Sequence, residues 1–257
     1  MKLDAIWTYP CKGLAGVTHD RIGLEDGCLL PGDRLFGIHT GKTEPVDQQG
    51  CSPWQAKRHF AQLLNSAALA GYRLEYDKDA CQLSLHKGGQ VLIRCDADNP
   101  DHVADRLYQD CPEVFSAPPS LVRCHQGSGF TDTEAPFISI VSQASLERFA
   151  AATGTKADSR RFRLNLVLKE VEPFAELAWQ GKYLSLGDAV IELIEPVERC
   201  AAINVSPDTA RIDGRWYQMM DQIFGHRYMG MFGRVVCSGD IHTGQKAQLQ
   251  DTPPDQP

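Results

Sequence analysis

The chain has 257 residues, a formal net charge of −7 and 42% hydrophobic residues. This length accommodates one large or two small globular domains, and the charged fraction of 23% excludes a disordered chain. The acidic balance argues against nucleic acid as a partner. No apolar run approaches the roughly 18 residues of a membrane helix, and the N-terminus lacks the apolar region of a signal peptide. We therefore expect a cytoplasmic protein with no membrane span.

Nine cysteines are scattered along the chain. The two nearest, Cys111 and Cys124, are 13 positions apart, so the sequence contains no CxxC pair and no cluster-binding run. The pattern predicts reduced thiols, most of them buried.

The first half of the chain is predicted to consist of short strands separated by turns. Ser52-Pro53 is typical of a helix start, and the apolar spacing from Ala56 to Leu64 predicts a helix there. The predicted strands are 3–9, 17–24, 34–39, 73–76, 82–86 and 91–95.

The segment 116–120, Ser-Ala-Pro-Pro-Ser, is the predicted boundary between two domains. Beyond it, Ser142 is a plausible N-cap for a helix that stops at Gly154, and apolar residues from Trp216 to Phe224 predict a second helix ended by Gly225. The predicted strands are 137–141, 164–168, 183–186, 189–194, 227–236 and 246–249. The sequence therefore predicts a mostly β protein with two or three helices and a frayed tail at 251–257.

Arginines in the segment SRRFRLN are the first candidates for binding chemistry. Arg160, Arg161 and Arg163 form either a solvated basic patch or a clamp for phosphate or carboxylate. Asn165 would share a face with Arg163 if the strand has already begun there. Ser142 at a helix N-terminus and Lys12 after a strand would add donors to the same site.

Cys200 is the cysteine that the sequence singles out, because it follows Arg199 at the end of a predicted strand. A neighbouring arginine favours the thiolate, which binds metals and attacks sulfur. The alternative is a buried thiol beside a surface arginine, and spacing alone favours that alternative.

Several separated motifs carry a family resemblance. The segments RFRLNLVL, PFAELAWQGKYLSLGDAVIELIEPVERC and FGRVVCSGDIHTGQKAQL resemble the MOSC domain of molybdenum cofactor sulfurases. The segments IWTYPCKGLAG and LLPGDRLFGIHT are similar to the N-terminal β-barrel domain of the mitochondrial amidoxime-reducing component and its bacterial relatives. The resemblance implies an N-terminal MOSC-associated β-barrel domain at 1–115 and a MOSC β-barrel domain at 120–250.

The resemblance also implies a cofactor and its ligands. It implies a molybdenum cofactor (Mo-molybdopterin) whose metal is bound by Cys200, and no pyridoxal phosphate. The cofactor-binding residues that it implies are Lys12, Arg34, Ser142, Arg163, Asn165 and Cys200. A phosphate of about −1.5 to −2 charge needs such cations and oriented N–H groups, and a soft thiolate suits molybdenum.

Three segments depart from the family pattern. Gly13 replaces a serine after the lysine, Leu164 replaces a proline, and residues 203–206 replace a Thr-Thr-Val-Asp segment. None of them removes Cys200 or a main cation, so they affect the expected substrate more than the cofactor.

The function implied is an oxidoreductase that reduces N-oxygenated, for example N-hydroxylated, small molecules, with Cys200 as the catalytic residue. Because the chain has no cluster, flavin or haem motif, electrons would come from an external protein of the reductase, ferredoxin or cytochrome b5 type. The alternative is a protein that carries the molybdenum cofactor, or sulfur as a Cys200 persulfide.

Overall fold

The computed structural model describes residues 1–41, 46–47 and 50–253. Their strands are β1 Lys2–Thr8, β2 Val17–His19, β3 Arg21–Leu24, β4 Phe36–His39, β5 Cys51–Ser52, β6 Tyr72–Asp77, β7 Gln82–Lys87, β8 Gln90–Asp96, β9 Ser120–Cys124, β10 Ile138–Ser142, β11 Leu166–Lys169, β12 Tyr183–Leu186, β13 Ala189–Glu198, β14 Tyr228–Cys237, β15 Gly239–His242 and β16 Gln248–Gln250. Their α-helices are α1 Asp101–Asp110, α2 Gln143–Thr153, α3 Ser159–Phe162 and α4 Trp216–Phe224. The predicted mostly β class with few helices is confirmed.

The largest sheet has eight strands in the order β16-β12-β13-β14-β10-β11-β1-β2. Its pairs are antiparallel except β10 with β11. Because β16 and β2 are its two ends, the sheet is open, and the described sheets do not close into the barrels that the resemblance implies.

Three smaller sheets complete the β structure of the described residues. They are β15-β3, β4-β9-β5 and β6-β7-β8. In the second of these, β5 runs parallel to β9, with Cys51 opposite Arg123 and Ser52 opposite Cys124.

Strand pairing crosses the predicted boundary at 116–120 in both directions. β1 and β2 join the large sheet beside β11, whereas β9, which follows the two prolines, pairs with β4 and β5. The division into domains at 1–115 and 120–250 stays a prediction. Of the tail, residues 254–257 lie outside the described part of the chain.

Helix prediction succeeded where capping and periodicity agreed. The Ser142 hydroxyl oxygen accepts a hydrogen bond from the Ala144 N–H at 3.2 Å, and Gly154 ends α2 in the left-handed region at φ 71°. The helix predicted over 56–64 is wrong, because only a 3-10 turn forms at Lys57–His59 and the next residues pair with β4. The Ala61 N–H donates to the Ile38 carbonyl at 2.8 Å, so backbone pairing outweighs a helical apolar pattern. Helix α1 was not predicted.

Three apolar clusters fill the interior. The first packs β4, β6, β7 and β9 against α1, the second lies against the large sheet, and the third buries α2 and α4 on that sheet. No helix among the described residues is long and apolar enough to cross a membrane.

Candidate functional site

Lys12 lies in the loop that follows β1, and its side chain is buried. The loop is held by the Lys12 N–H, which donates to the Phe36 carbonyl at 2.8 Å. The Lys12 Nζ donates to the Phe130 carbonyl at 2.8 Å and to the Asp132 Oδ1 at 2.7 Å. Burial lowers the pKa of Lys12, and Asp132 opposes that shift. Lys12 is therefore a buried cation with one carboxylate partner.

Asp132 connects Lys12 to a second cation. The Lys57 Nζ lies 3.2 Å from the Asp132 Oδ2. Burial alone would raise the pKa of Asp132, but Lys12 and Lys57 outweigh it and hold that pKa far below its usual range. The carboxylate is thus charged at neutral pH and neutralises part of the charge of the two lysines.

Arg34 occupies the left-handed region at φ 49°, directly after the buried Asp33. Its Nη1 forms an ion pair with the Asp33 Oδ2, and its Nη2 donates to the Arg163 carbonyl at 2.8 Å. The Nη1 also lies 3.4 Å from the Asn165 Oδ1. Arg34 therefore links the first half of the chain to the segment after α3.

Arg163 ends the short helix α3 in the left-handed region at φ 55°. Its Nη1 donates to the Leu14 carbonyl, and its guanidinium lies 4.4 Å from the centre of the Tyr9 ring. The Arg34 guanidinium lies 4.6 Å from the same ring, so both arginines contact Tyr9. Burial, and secondarily Arg34, lower the pKa of Arg163 to about 10.

Asn165 is brought beside Arg34, although not for the reason that the sequence suggested. Because β11 begins at Leu166, Arg163 and Asn165 do not share a strand face. The Asn165 Nδ2 donates to the Trp7 carbonyl at 3.0 Å and to the Asp33 Oδ2 at 3.1 Å. Its Oδ1 accepts from the Ser139 N–H at 3.0 Å and the Ser139 Oγ at 2.9 Å. The Asn165 amide is therefore fully bonded within the protein.

Ser142 lies apart from the cations. It ends β10, whereas Asn165 pairs with Ser139 three residues earlier, which is about 10 Å along a strand. The Ser142 hydroxyl caps Ala144, and the Ser142 N–H donates to the buried Glu176 Oε1 at 3.3 Å. The N-terminus of α2 thus already binds a carboxylate of the chain itself.

Cys200 follows β13 and is partly exposed. A negative charge on Cys200 would raise the pKa of Arg199 and of Lys57, and for Lys57 it would add to the larger effect of Asp132. For Arg199 this opposes the larger effect of burial, which lowers the pKa. The Arg199 Nη2 donates to the Phe162 carbonyl, while its buried Nε has no hydrogen-bond partner in the described part of the chain.

The structure therefore gathers five cations, Lys12, Arg34, Lys57, Arg163 and Arg199, which we call the cation cluster. Asp33 and Asp132 are the carboxylates bonded to it. An excess of positive charge in a partly buried site and an unpartnered buried donor are the features that bind an anion.

A cavity of about 730 Å³ is lined by Tyr9 and Arg163. Arg160 and Arg161 also line it, but they are neutralised by Asp158, Asp208 and Asp213. Of the three arginines that the sequence offered as an anion clamp, only Arg163 is therefore available to bind an anion.

Lys57 and Asp132 were not predicted as neighbours of Lys12, and Tyr9 was not predicted as the ring that both arginines contact. Lys57 and Asp132 lie 75 positions apart, and neither belongs to a motif, so no local pattern connects them. For Tyr9 a signal existed, since it ends a predicted strand three residues before Lys12.

Comparison with known proteins gives one family match. Residues 127–248 match the model of the MOSC domain. None of the curated proteins matches the chain significantly.

Solved structures to which this chain is similar include the YuaD protein of Bacillus subtilis, at 12% identity and a TM-score of 0.48, covering 98% of this chain and 96% of that one. They also include YiiM of Geobacillus stearothermophilus, at 18% identity and a TM-score of 0.34, and YiiM of Escherichia coli, at 17% and 0.33. The YiiM matches cover 44% and 46% of this chain, and 53% and 56% of theirs. The domain match therefore identifies a MOSC domain at residues 127–248.

Proposed function

We propose that this chain is a molybdenum-cofactor-dependent oxidoreductase that reduces N-oxygenated small molecules with electrons from an external protein. The MOSC domain is associated with the molybdenum cofactor, which makes this cofactor the first candidate for the site. The observation that carries the proposal is the partly exposed Cys200 thiol beside Arg199 and Lys57.

The residues present fit this group. The positive charges of the cation cluster outnumber the carboxylates bonded to it, and the buried Arg199 Nε has no hydrogen-bond acceptor among residues 1–41, 46–47 and 50–253, as expected of a site that receives an anion. Lys12, Arg34 and Arg163 would hold the phosphate, and Cys200 would bind the metal. When bound, the cofactor supplies the metal centre for oxygen-atom transfer.

Two buried thiols, those of Cys11 and Cys124, are poorer metal ligands than Cys200. Burial raises the pKa of Cys11 to about 12 and that of Cys124 to about 11, which disfavours the thiolate that a metal requires. Cys11 lies beside Lys12 in the sequence, but it is fully buried in the first apolar cluster. Among these three cysteines Cys200 alone combines exposure with adjacent cations.

The protein's own groups would also set the charge of the site. Asp132 holds Lys12 and Lys57 in place through ion pairs of 2.7 and 3.2 Å. An arriving phosphate would compete with Asp132 for these ammonium groups, and the half-exposed Asp132 side chain has room to turn towards solvent.

The experiment is expression in a host that makes the cofactor, followed by measurement of molybdenum per chain and of amidoxime reduction with an artificial reductant. We expect stoichiometric molybdenum and turnover in the wild type, and no turnover in Cys200→Ser. Cys28→Ser is the matched control, because Cys28 is also partly exposed. Stoichiometric molybdenum without turnover would instead favour a cofactor carrier, and a chain without molybdenum would refute both.

A further inference from the structure

A second cluster of ligand-type side chains lies outside the cation cluster. Asp47, Cys51 and His125 each offer one ligand atom, and the three atoms lie within 4.8 Å of one another. The cluster combines a carboxylate oxygen, a thiol sulfur and an imidazole nitrogen. These are the three kinds of ligand that Zn²⁺ accepts in proteins.

The backbone brings these side chains together from two segments. Cys51 begins β5, and His125 follows the last residue of β9, with which β5 pairs in parallel. Asp47 is fixed to Cys51 by two hydrogen bonds: the Asp47 N–H donates to the Cys51 carbonyl at 2.6 Å, and the Cys51 N–H donates to the Asp47 Oδ1 at 2.9 Å. The second bond orients the carboxylate, as outer hydrogen bonds do at metal sites.

The distances between the three ligand atoms already approach those found around a bound ion. Around a tetrahedral Zn²⁺ with bonds of about 2.0–2.3 Å, neighbouring ligand atoms lie about 3.3–3.7 Å apart. The His125 Nδ1 lies 3.3 Å from the Asp47 Oδ2. The sulfur therefore needs to move by about 1 Å at most to complete three corners of a tetrahedron.

We propose that Asp47, Cys51 and His125 form a binding site for a zinc-type divalent cation, with a water molecule as the fourth ligand. The site does not depend on the proposed redox function. Asp47 and the Cys51 thiolate would supply two negative charges, which match the charge of the ion.

Coordination requires Cys51 as a thiolate, and a bound divalent ion would displace the thiol proton.

The position gives the ion a structural role. From Cys51 the chain continues to Lys57, and from His125 it continues to Asp132, where the two meet in an ion pair of 3.2 Å. Between them the Trp54 Nε1 donates to the Thr131 carbonyl at 3.2 Å. An ion at the start of both segments would therefore help to hold Lys57 and Asp132 within ion-pair distance.

The test uses Co²⁺ as the probe, added to the full chain after chelator treatment. We expect one tight site per chain with a thiolate-to-cobalt absorption band, from which Zn²⁺ displaces the cobalt. The band should disappear in Cys51→Ala, and the apparent affinity of His125→Gln should fall by more than about 100-fold, beyond the effect typical of outer partners. Because His125 is half-exposed, His125→Gln tests the site even if Cys51→Ala does not fold.

Matched controls separate this site from the other thiols. Cys81 lies with Asp96 and Asp98 in the other such group among the described residues, so Cys81→Ala is the control thiol, and Cys200→Ser separates the site from the cation cluster. Both variants should keep the band. A wild type without saturable Co²⁺ binding, a band that persists in Cys51→Ala, or a band lost in Cys81→Ala or Cys200→Ser would overturn the proposal.

Discussion

Replacing Asp132 by Asn tests whether the cation cluster is held by this carboxylate. Breaking a buried ion pair costs about 3–5 kcal/mol, whereas an exposed pair contributes about 0–1 kcal/mol. The Lys12 side chain is 8% exposed and that of Asp132 is 52% exposed, so the pair lies between these limits. Lys12 also keeps its bond to the Phe130 carbonyl. We therefore expect Asp132→Asn to lower the free energy of unfolding at pH 7 by about 2 kcal/mol, or Tm by about 4–8 °C.

The pH dependence of this loss has a definite sign. Because the folded pKa of Asp132 is depressed, its stabilisation is complete above the unfolded pKa of about 4 and disappears as the pH falls below it. Urea unfolding should show the difference between wild type and Asp132→Asn shrinking from about pH 5 to pH 3. The matched control is Asp251, whose carboxylate is 84% exposed and forms an ion pair with Lys182. Asp251→Asn should lower the free energy of unfolding by less than about 0.5 kcal/mol. Equal losses in both variants, or a difference that is constant with pH, would refute the reasoning.

Three further predictions concern substitutions of single residues. Cys200→Ser should abolish amidoxime turnover, while Cys11→Ser should change only the melting temperature; loss of turnover in Cys11→Ser alone would contradict the assignment. Arg163→Ala should lower molybdenum content in purified protein and also destabilise the fold, because it removes the bond to Leu14 and the contact with Tyr9. Gly230→Ala should cost at least about 2 kcal/mol in urea unfolding, since its Cβ would lie 2.6 Å from a backbone oxygen, whereas Gly154→Ala, with similar φ but open space, should cost about 1 kcal/mol.

Local signals in the sequence were sufficient where one segment determines its own structure. The cap at Ser142 and the stop at Gly154 bound α2 as predicted, because both act within a single turn of chain. The helix prediction for 56–64 was wrong, because the apolar spacing of this segment suits a helix while its pairing partner, β4, lies about twenty residues away. Pairing between distant segments is not visible in local periodicity.

The same limit applies to the candidate site. The resemblance indicated Lys12, Arg34 and Arg163 as cofactor-binding cations. It did not identify Asp33 or Asp132 as their partners, since those contacts depend on how separate segments meet. It therefore overestimated the free positive charge, and it placed Ser142 in a site from which the length of β10 separates it.

Asn165 shows why a matching motif residue is weaker support for a cofactor than an unpartnered atom. Its amide joins β1 through the Trp7 carbonyl, β10 through Ser139, and the Arg34 segment through Asp33. These bonds alone would require an asparagine at this position, with or without a ligand. By contrast, no group in the described residues accepts a hydrogen bond from the buried Arg199 Nε, and such a donor is costly unless something binds there. The Nε atoms of four other arginines share this property, so Arg199 is distinguished by its place beside Cys200. The physical argument for an anion beside Cys200 therefore depends on Arg199, which lies next to the thiol, more than on the asparagine of the motif.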